Sequence, residues 1–269
     1  MRNTTNYGTT NNNTHDDEPL LPKSTHRPTV QSYLNHTLTR QKADLILLFT
    51  YITTGLLDST AIAAWGSFVS MQTGNTIYFG LGLSHPTTSS TRWLKAGTSI
   101  LSFCIGSFLF ARFHRHYSAR RRWVLLTSTL IQFFLVVVAA LIVTLMPSPD
   151  KLDDLHWSIM VPIALVAFQS AGQAVISRAL EHNSLTSVVL TSIYCDLFSD
   201  AKLFAGLTEN VERNRRAAAP LLLLLGAVMG GLCSKTELGV VGALWTVAVL
   251  KFVVALAWML WPVEKESDN

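Results

Sequence analysis

The sequence predicts an all-α, polytopic membrane protein, and three observations carry that prediction. Only 14% of the 269 residues are charged, where a soluble domain usually has about 25%. Lys and Arg crowd into short segments. Between those segments lie apolar runs near the ~20 residues that cross a ~30 Å hydrocarbon core as helix. Six runs are clear, at 44–64, 94–113, 123–146, 157–176, 217–234 and 238–261, while two more polar segments, 66–83 and 185–204, are ambiguous. A buried helix of a soluble core would explain any one run. Six in one small chain leave that explanation little room.

The amino-terminal residues 1–43 are polar and rich in Asn and Thr, with no apolar stretch of the kind a signal peptide needs. The first membrane helix is then its own insertion signal. Such a composition cannot bury enough surface to fold alone, so 1–43 is expected to be a disordered cytosolic tail and 262–269 a second, short one. Within the first tail, Asp16-Asp17-Glu18-Pro19-Leu20-Leu21 places an acidic residue four before a Leu-Leu pair. That spacing resembles acidic dileucine sorting signals, and Pro19 disfavours helix at Glu18. It points to an endosomal or vacuolar membrane, with the plasma membrane as the alternative. Asn3, Asn12 and Asn35 form N-x-[ST] sequons, which a cytosolic tail leaves unglycosylated.

The basic residues mark orientation. Arg112, Arg115, Arg120, Arg121 and Arg122 make the loop after the second clear run strongly cationic, the mark of a cytosolic loop. The next loop carries Asp150, Asp153 and Asp154 against Lys151 alone, and fits the opposite side. Arg213, Arg215 and Arg216 are cytosolic again, as are Arg40 and Lys42. If all eight apolar segments crossed, some of these markers would lie on the wrong side. Six crossings, with 66–83 and 185–204 half-crossing, put every marker where it belongs. The net charge of +4 is thereby explained by orientation, and a nucleic-acid partner is not implied.

Six crossings divide the chain into halves, 44–146 and 157–261, each a helix, a half-crossing segment and two helices. The first starts inside and the second outside, so an inverted repeat is expected, a recurrent build in secondary transporters. The half-crossing segments VSMQTGNTIYFGL (69–81) and TSVVLTSIYCDLF (186–198) align at Thr73 and Thr191.

Asp58 lies deep in the first run with no cation near it in sequence. A carboxylate there costs about 2.5–3.5 kcal/mol on insertion scales. It is either a proton- or ligand-coupling group facing the bundle interior or a structural acceptor for a neighbouring helix. Gly55, after Thr53 and Thr54, is expected to let this helix bend. Thr73, Gly74 and Asn75 form a polar triplet amid Val, Met, Ile and Phe, suited either to a small polar ligand or to a close helix contact. Gln169, Gln173, Arg178, Thr191 and Asp196 are their counterparts in the second half. Arg178 either pairs with Asp196 or, as the safer expectation, snorkels to lipid phosphate. Gly226 and Gly230 form a GxxxG, read as packing within the bundle.

Enzymatic signatures are absent. The eight histidines lie in the tail or loops, and no HExxH, GxxxxGK[ST] or GxSxG occurs. Cys104, Cys195 and Cys233 form no metal or disulfide framework and are expected to be packing residues. No catalytic residue, metal or cofactor is implied.

The stretch TGLLDSTAIAAWGSFVSMQTGNTIYFGLGL, with Gly55-x-x-Asp58 followed by Thr73-Gly74-Asn75, resembles the signature of the YoaK-like family, domain of unknown function 1275. Gln173, Arg178 and the Thr-rich turn Thr186–Thr191 are similar to its second element, with Ser192 where that family usually has glycine. The resemblance covers roughly 44–260. It implies six membrane helices and a suspected transporter without an established substrate.

The expectation is therefore a secondary transporter of a small polar or anionic solute, with proton coupling through Asp58. Its site is formed by Asp58, Thr73, Gly74, Asn75, Gln173 and Thr191, its surroundings are the lipid bilayer, and a homo-oligomer is compatible with the sequence. The alternative is a non-transporting scaffold or sensor associated with a biosynthetic pathway. On the orientation read here, a cysteine placed at 118 is shielded from a membrane-impermeant thiol reagent in intact cells, and one at 152 is labelled. Labelling of 118 alone would reverse the topology.

Overall fold

The computed structural model describes residues 30–40, 42–84, 90–146, 155–182, 185 and 187–264. These form α1 (Val30–Asn35), α2 (Ala43–Trp65), α3 (Gln72–Ser84), α4 (Arg92–Tyr117), α5 (Arg122–Leu145), α6 (Trp157–Ala179), α7 (Thr191–Phe198), α8 (Val211–Cys233) and α9 (Gly239–Leu260). The six clear runs became α2, α4, α5, α6, α8 and α9, all long and apolar enough to cross a membrane. Large apolar side chains such as Leu101, Phe108, Phe134, Leu221, Val249 and Phe252 are exposed on the outer helices. So much exposed apolar surface suits contact with lipid tails and not with water. At ~1.5 Å per residue, α3 and α7 reach only about 20 and 12 Å. Neither can span.

Backbone pairing settles the number of crossings. Leu38 N–H donates to Arg120 O at 2.9 Å, Arg122 N–H to His36 O at 3.1 Å, and Glu264 N–H to Thr37 O at 3.0 Å. The first helix, the five-arginine loop and the chain's last described residues therefore share one end of the bundle. Eight crossings would have placed that loop at the far end. Arg215 pairs with Asp44 at 2.7 Å and Arg40 with Glu181 at 2.7 Å, which brings the end of α6 and the start of α8 to the same place. There, burial first and the nearby Arg215 second hold the His182 imidazole below its ordinary pKa.

Part of the expected disordered tail is folded. The Arg122 guanidinium is buried against the Tyr33 ring at 3.8 Å and donates to Tyr33 O at 3.0 Å and Trp261 O at 2.6 Å. Leu38 joins the core. Residues 30–40 and 262–264 have too few apolar residues to fold alone, and are held because Arg122 and the 118–121 turn supply partners. The dileucine stretch, Asn3, Asn12, and Asp150 to Asp154 lie outside the described residues.

The helices exchange partners between halves. α2 packs on α8 and α9 of the second half, and α6 packs on α4 and α5 of the first. α3 lies on α4 as α7 lies on α8, and α5 meets α9. This pattern maps onto itself when the halves are swapped. Because α2 leaves the arginine-rich end and α6 arrives there, the two halves are inverted relative to each other, as the sequence predicts. α2 and α6 are the most enclosed of the six spans.

Glycine sets the closest approaches. A Cβ on Gly55 would overlap the Leu223 carbonyl oxygen, and one on Gly226 would overlap the Ile52 carbonyl oxygen. A Cβ on Gly106 would come within 2.7 Å of Phe168 O across the matching α4–α6 contact. Gly55 thus serves a backbone contact and not the expected bend, since α2 is helical throughout. The Gly226–Gly230 pair packs inside the bundle, as expected. The cysteines correct another expectation: Cys104 and Cys195 are exposed and only Cys233 is partly covered.

Two apolar layers result. One gathers Leu47, Tyr51, Leu125, Ile176 and Trp258 toward the arginine-rich end, the other Leu56, Val136, Ile163 and Val247 toward the opposite end. Gly55→Ala or Gly226→Ala is expected to separate α2 from α8 and cost about 1–3 kcal/mol, the usual range for overpacking. Gly231→Ala, with open space around it, is the matched control. Thermal unfolding of the purified variants measures the difference, and equal midpoints for all three would refute the close α2–α8 contact.

Candidate functional site

After α2 the chain turns at Gly66, whose φ of 75° is left-handed, and folds back alongside the helix it has just left. Asp58, seven residues or about 10 Å before the helix end, receives the returning backbone. Its Oδ1 accepts from Val69 N–H at 2.8 Å and Ser70 N–H at 2.9 Å, and its Oδ2 from the Ser70 hydroxyl. Asn75, in the first turn of α3, holds the same segment from the other side. Its Oδ1 accepts from Phe68 N–H and the Ser67 hydroxyl, both at 3.0 Å, and its Nδ2 donates to Phe68 O at 2.8 Å. Gln72 and Ser99 close the group, each within 3.0 Å of that Nδ2. α3 then runs back out, antiparallel to α4. Arg92 bolts the mouth, its Nε on Gly66 O at 2.5 Å and its guanidinium 3.6 Å from the Tyr78 ring centroid.

The second half repeats this device with different residues. Past α6 the chain turns at Glu181, φ 61°, and the Ser177 hydroxyl bridges to His182 O at 2.7 Å and Leu185 O at 2.9 Å. Gln173, six residues before the end of α6, donates from Nε2 to the Ser187 hydroxyl at 2.7 Å. α7 then leads outward. Gln173 occupies in the second half the place Asp58 occupies in the first.

Gln173 also reaches the middle of the molecule. Its Nε2 lies 2.9 Å from Thr54 Oγ1 and 3.2 Å from Thr50 O, and its Oε1 accepts from Thr53 Oγ1 at 3.3 Å. The same oxygen accepts from Lys251 Nζ at 2.6 Å, and Lys251 donates again to Gln132 Oε1 at 2.7 Å. Lys251 stands near the midpoint of α9 and is 1% exposed. Among the described residues no ion pair involves it. A cavity of about 10 Å³ lies beside it, bounded by Thr50, Thr129, Gln132, Gln173, Lys251 and Trp258 among others. The lining comes from α2, α5, α6 and α9, and half of it belongs to the apolar layer toward the arginine-rich end.

Two polar groups therefore stand where one was expected. Asp58, Gly74 and Asn75 belong to the clamp on residues 67–70, and Gln173 alone joins the central cluster. Thr73 and Thr191 are exposed at the starts of α3 and α7 and enter neither group. Arg178 and Asp196 are both exposed with no ion pair between them among the described residues. That favours the snorkelling expectation over the pairing one. Lys251 and Gln132 were passed over in the sequence, although the signal was present: a lone cation in LWTVAVLKFVVALAWML. An ionisable residue at such depth is a functional hypothesis by default.

A family model described as a protein of unknown function, DUF1275, matches residues 46–257. The chain belongs to this family. No curated protein and no solved structure matches it. The DUF1275 match spans all six long helices and both re-entrant segments, and it contains the Asp58–Asn75 clamp and the Lys251 cluster. Of the two family motifs quoted above, the first contributes Asp58, Gly74 and Asn75 to the clamp. In the second, the chain has already left its re-entrant course before Ser192, because α7 begins at Thr191.

The clamp makes a prediction about Gly74, whose Cβ would meet the Phe68 ring at 2.6 Å. Gly74→Leu is expected to lower folded yield and thermal midpoint, and Gly80→Leu, on an open face, to leave both near wild type. Gly239 is unsuitable as a control because its φ of 43° strains any side chain. Asp58→Ala removes acceptors from two buried N–H groups and should cost several kcal/mol, at about 1–3 per orphaned group. Asp58→Asn retains an acceptor and should fold. Wild-type unfolding for Asp58→Ala would show that the clamp carries no weight.

Proposed function

We propose that the chain is a secondary transporter of a small polar or anionic solute, and that the solute passes between its two inverted halves at Lys251. The observation that carries this reading is the buried lysine. It sits at mid-depth with no acidic partner among the described residues, beside a cavity formed by four helices drawn from both halves. Insertion of a lysine at a helix centre costs about 2.5–3.5 kcal/mol. Two amide oxygens offset part of that cost and leave the charge uncompensated. Inverted repeats with sites near the midplane are the build of many secondary transporters.

Asp58 enters as the coupling group, through the backbone it holds. Protonation would turn Oδ2 from an acceptor into a donor facing the Ser70 hydroxyl and weaken the clamp. The proton would then be linked to the position of the first re-entrant segment. The chain is read as having no enzymatic activity of its own.

A second reading has an observation of its own. The polar groups of Asp58 and Asn75 are satisfied within the first half, and the cavity admits about one water. A membrane scaffold or sensor for a biosynthetic complex would have that character. The readings separate in vesicles reconstituted with the purified chain, an entrapped pH-sensitive dye and a panel of small polar and anionic solutes. Transport predicts solute movement that Lys251→Met abolishes, and whose pH dependence Asp58→Asn removes. A panel with no chain-dependent movement would favour the scaffold.

A further inference from the structure

The geometry points to a binding site for a single halide-sized monovalent anion in the cavity between Lys251 and Gln132. This deepens the transport reading by naming its ligand class, and rests on that reading only for the anion's passage, not for its binding.

The argument is a count of donors. A lysine ammonium carries three N–H groups, and Lys251 uses two, on Gln132 Oε1 and Gln173 Oε1. Gln132 is 1% exposed, and its Nε2 is buried without a hydrogen-bond partner. Its oxygen is turned to the lysine, so its amide nitrogen must address something else. The two hydroxyls on the cavity wall are spent, Thr50 Oγ1 donating to Leu47 O at 2.6 Å and Thr129 Oγ1 to Leu125 O at 2.8 Å. The residues that bound the cavity therefore carry spare donors and one positive charge just behind a mostly apolar wall, and no carboxylate is among them. An unpartnered buried donor costs about 1–3 kcal/mol, and a buried cation without a counter-ion costs more. One anion would satisfy both.

The wall also limits the ligand's size. A volume of about 10 Å³ is room for about one water-sized body. Ile46, Leu47, Val254 and Trp258 close the cavity on the side toward the arginine-rich end. A phosphate or a carboxylic acid with a carbon skeleton would not fit between them. A cation is disfavoured by Lys251 itself. Of the small occupants, a water fits the cavity as it stands and leaves the charge, whereas a halide, larger by a few tenths of an ångström in radius, compensates both.

The test is binding, not transport. The full chain, purified in detergent, is unfolded by heat while sodium chloride or sodium bromide replaces sodium gluconate at constant ionic strength. The expected result is a saturable rise in the midpoint with either halide. Gln132→Glu should abolish that rise, because the new carboxylate occupies the lysine in the halide's place, and Lys251→Met should abolish it by removing the charge. If Lys251→Met fails to fold, the wild-type and Gln132→Glu titrations decide alone. A wild-type midpoint indifferent to halide, as a resident water would give, overturns the site, and so does a Gln132→Glu protein that titrates like wild type. The transport reading fails separately. Solute movement without halide stabilisation sinks the site alone, and stabilisation in a chain that moves nothing supports the site and sinks transport.

Discussion

Every backbone polar group within a bilayer must find its partner inside the protein, because the hydrocarbon core offers none. A spanning helix meets that constraint by itself. Residues 66–71 do not, nor do the described residues between α6 and α7, since both stretches run beside a spanning helix outside any α-helix. Asp58 and Asn75 in the first half, and Ser177 and Gln173 in the second, supply what the helix ladder would have supplied. The placement of α3 and α7 follows from these contacts, and with it the count of six crossings. In this light Asp58 is costly at its depth for an immediate reason: a carboxylate accepts from several donors at once, and three converge on it.

The two halves solve the same problem with unequal chemistry, and the inequality opens a functional place. Asp58 is used up by its own re-entrant segment. Gln173 has an amide on which Nε2 can hold Ser187 while Oε1 faces the middle of the molecule and accepts from Lys251. One side chain thus connects the second re-entrant segment to the central lysine. A ligand at Lys251 would alter the acceptor duty of Gln173, and so would bear on the segment that Gln173 holds. The first half has no such link between its clamp and the centre.

The exchange of first helices governs how the molecule could move. α2 is locked to α8 by glycine contacts at Gly55 and Gly226, and α6 to α4 by the contact at Gly106. Backbones this close slide poorly, because small shifts bring carbonyl oxygens into overlap. The seam between the α2–α8–α9 and α6–α4–α5 groups runs along α5 with α9 and α2 with α6. Lys251, Gln132 and Gln173 lie on that seam.

Much of the architecture was legible because membrane insertion acts on local sequence. Run lengths pointed to six helices, clustered arginines to a common end for the loops, and two more polar segments, ambiguous by hydropathy, to the re-entrant pieces. The Gly55-x-x-Asp58 and Thr73-Gly74-Asn75 motifs marked the clamp as something other than plain helix. What they could not show was the direction of those side chains. Asp58 and Asn75 turn toward residues 67–70, and Thr73 and Thr191 turn outward, for reasons that depend on where the returning backbone lies. The ordering of 30–40 depended on Arg122 and Trp261, far away in the chain. Lys251 was visible as a lone cation, but its meaning was not, because Gln132 and Gln173 precede it by 119 and 78 residues. Local hydropathy and charge determine which segments enter the membrane and at which end their borders lie. Only packing between segments distant in sequence decides which buried polar groups meet, since each is costly alone and its partner lies on another helix.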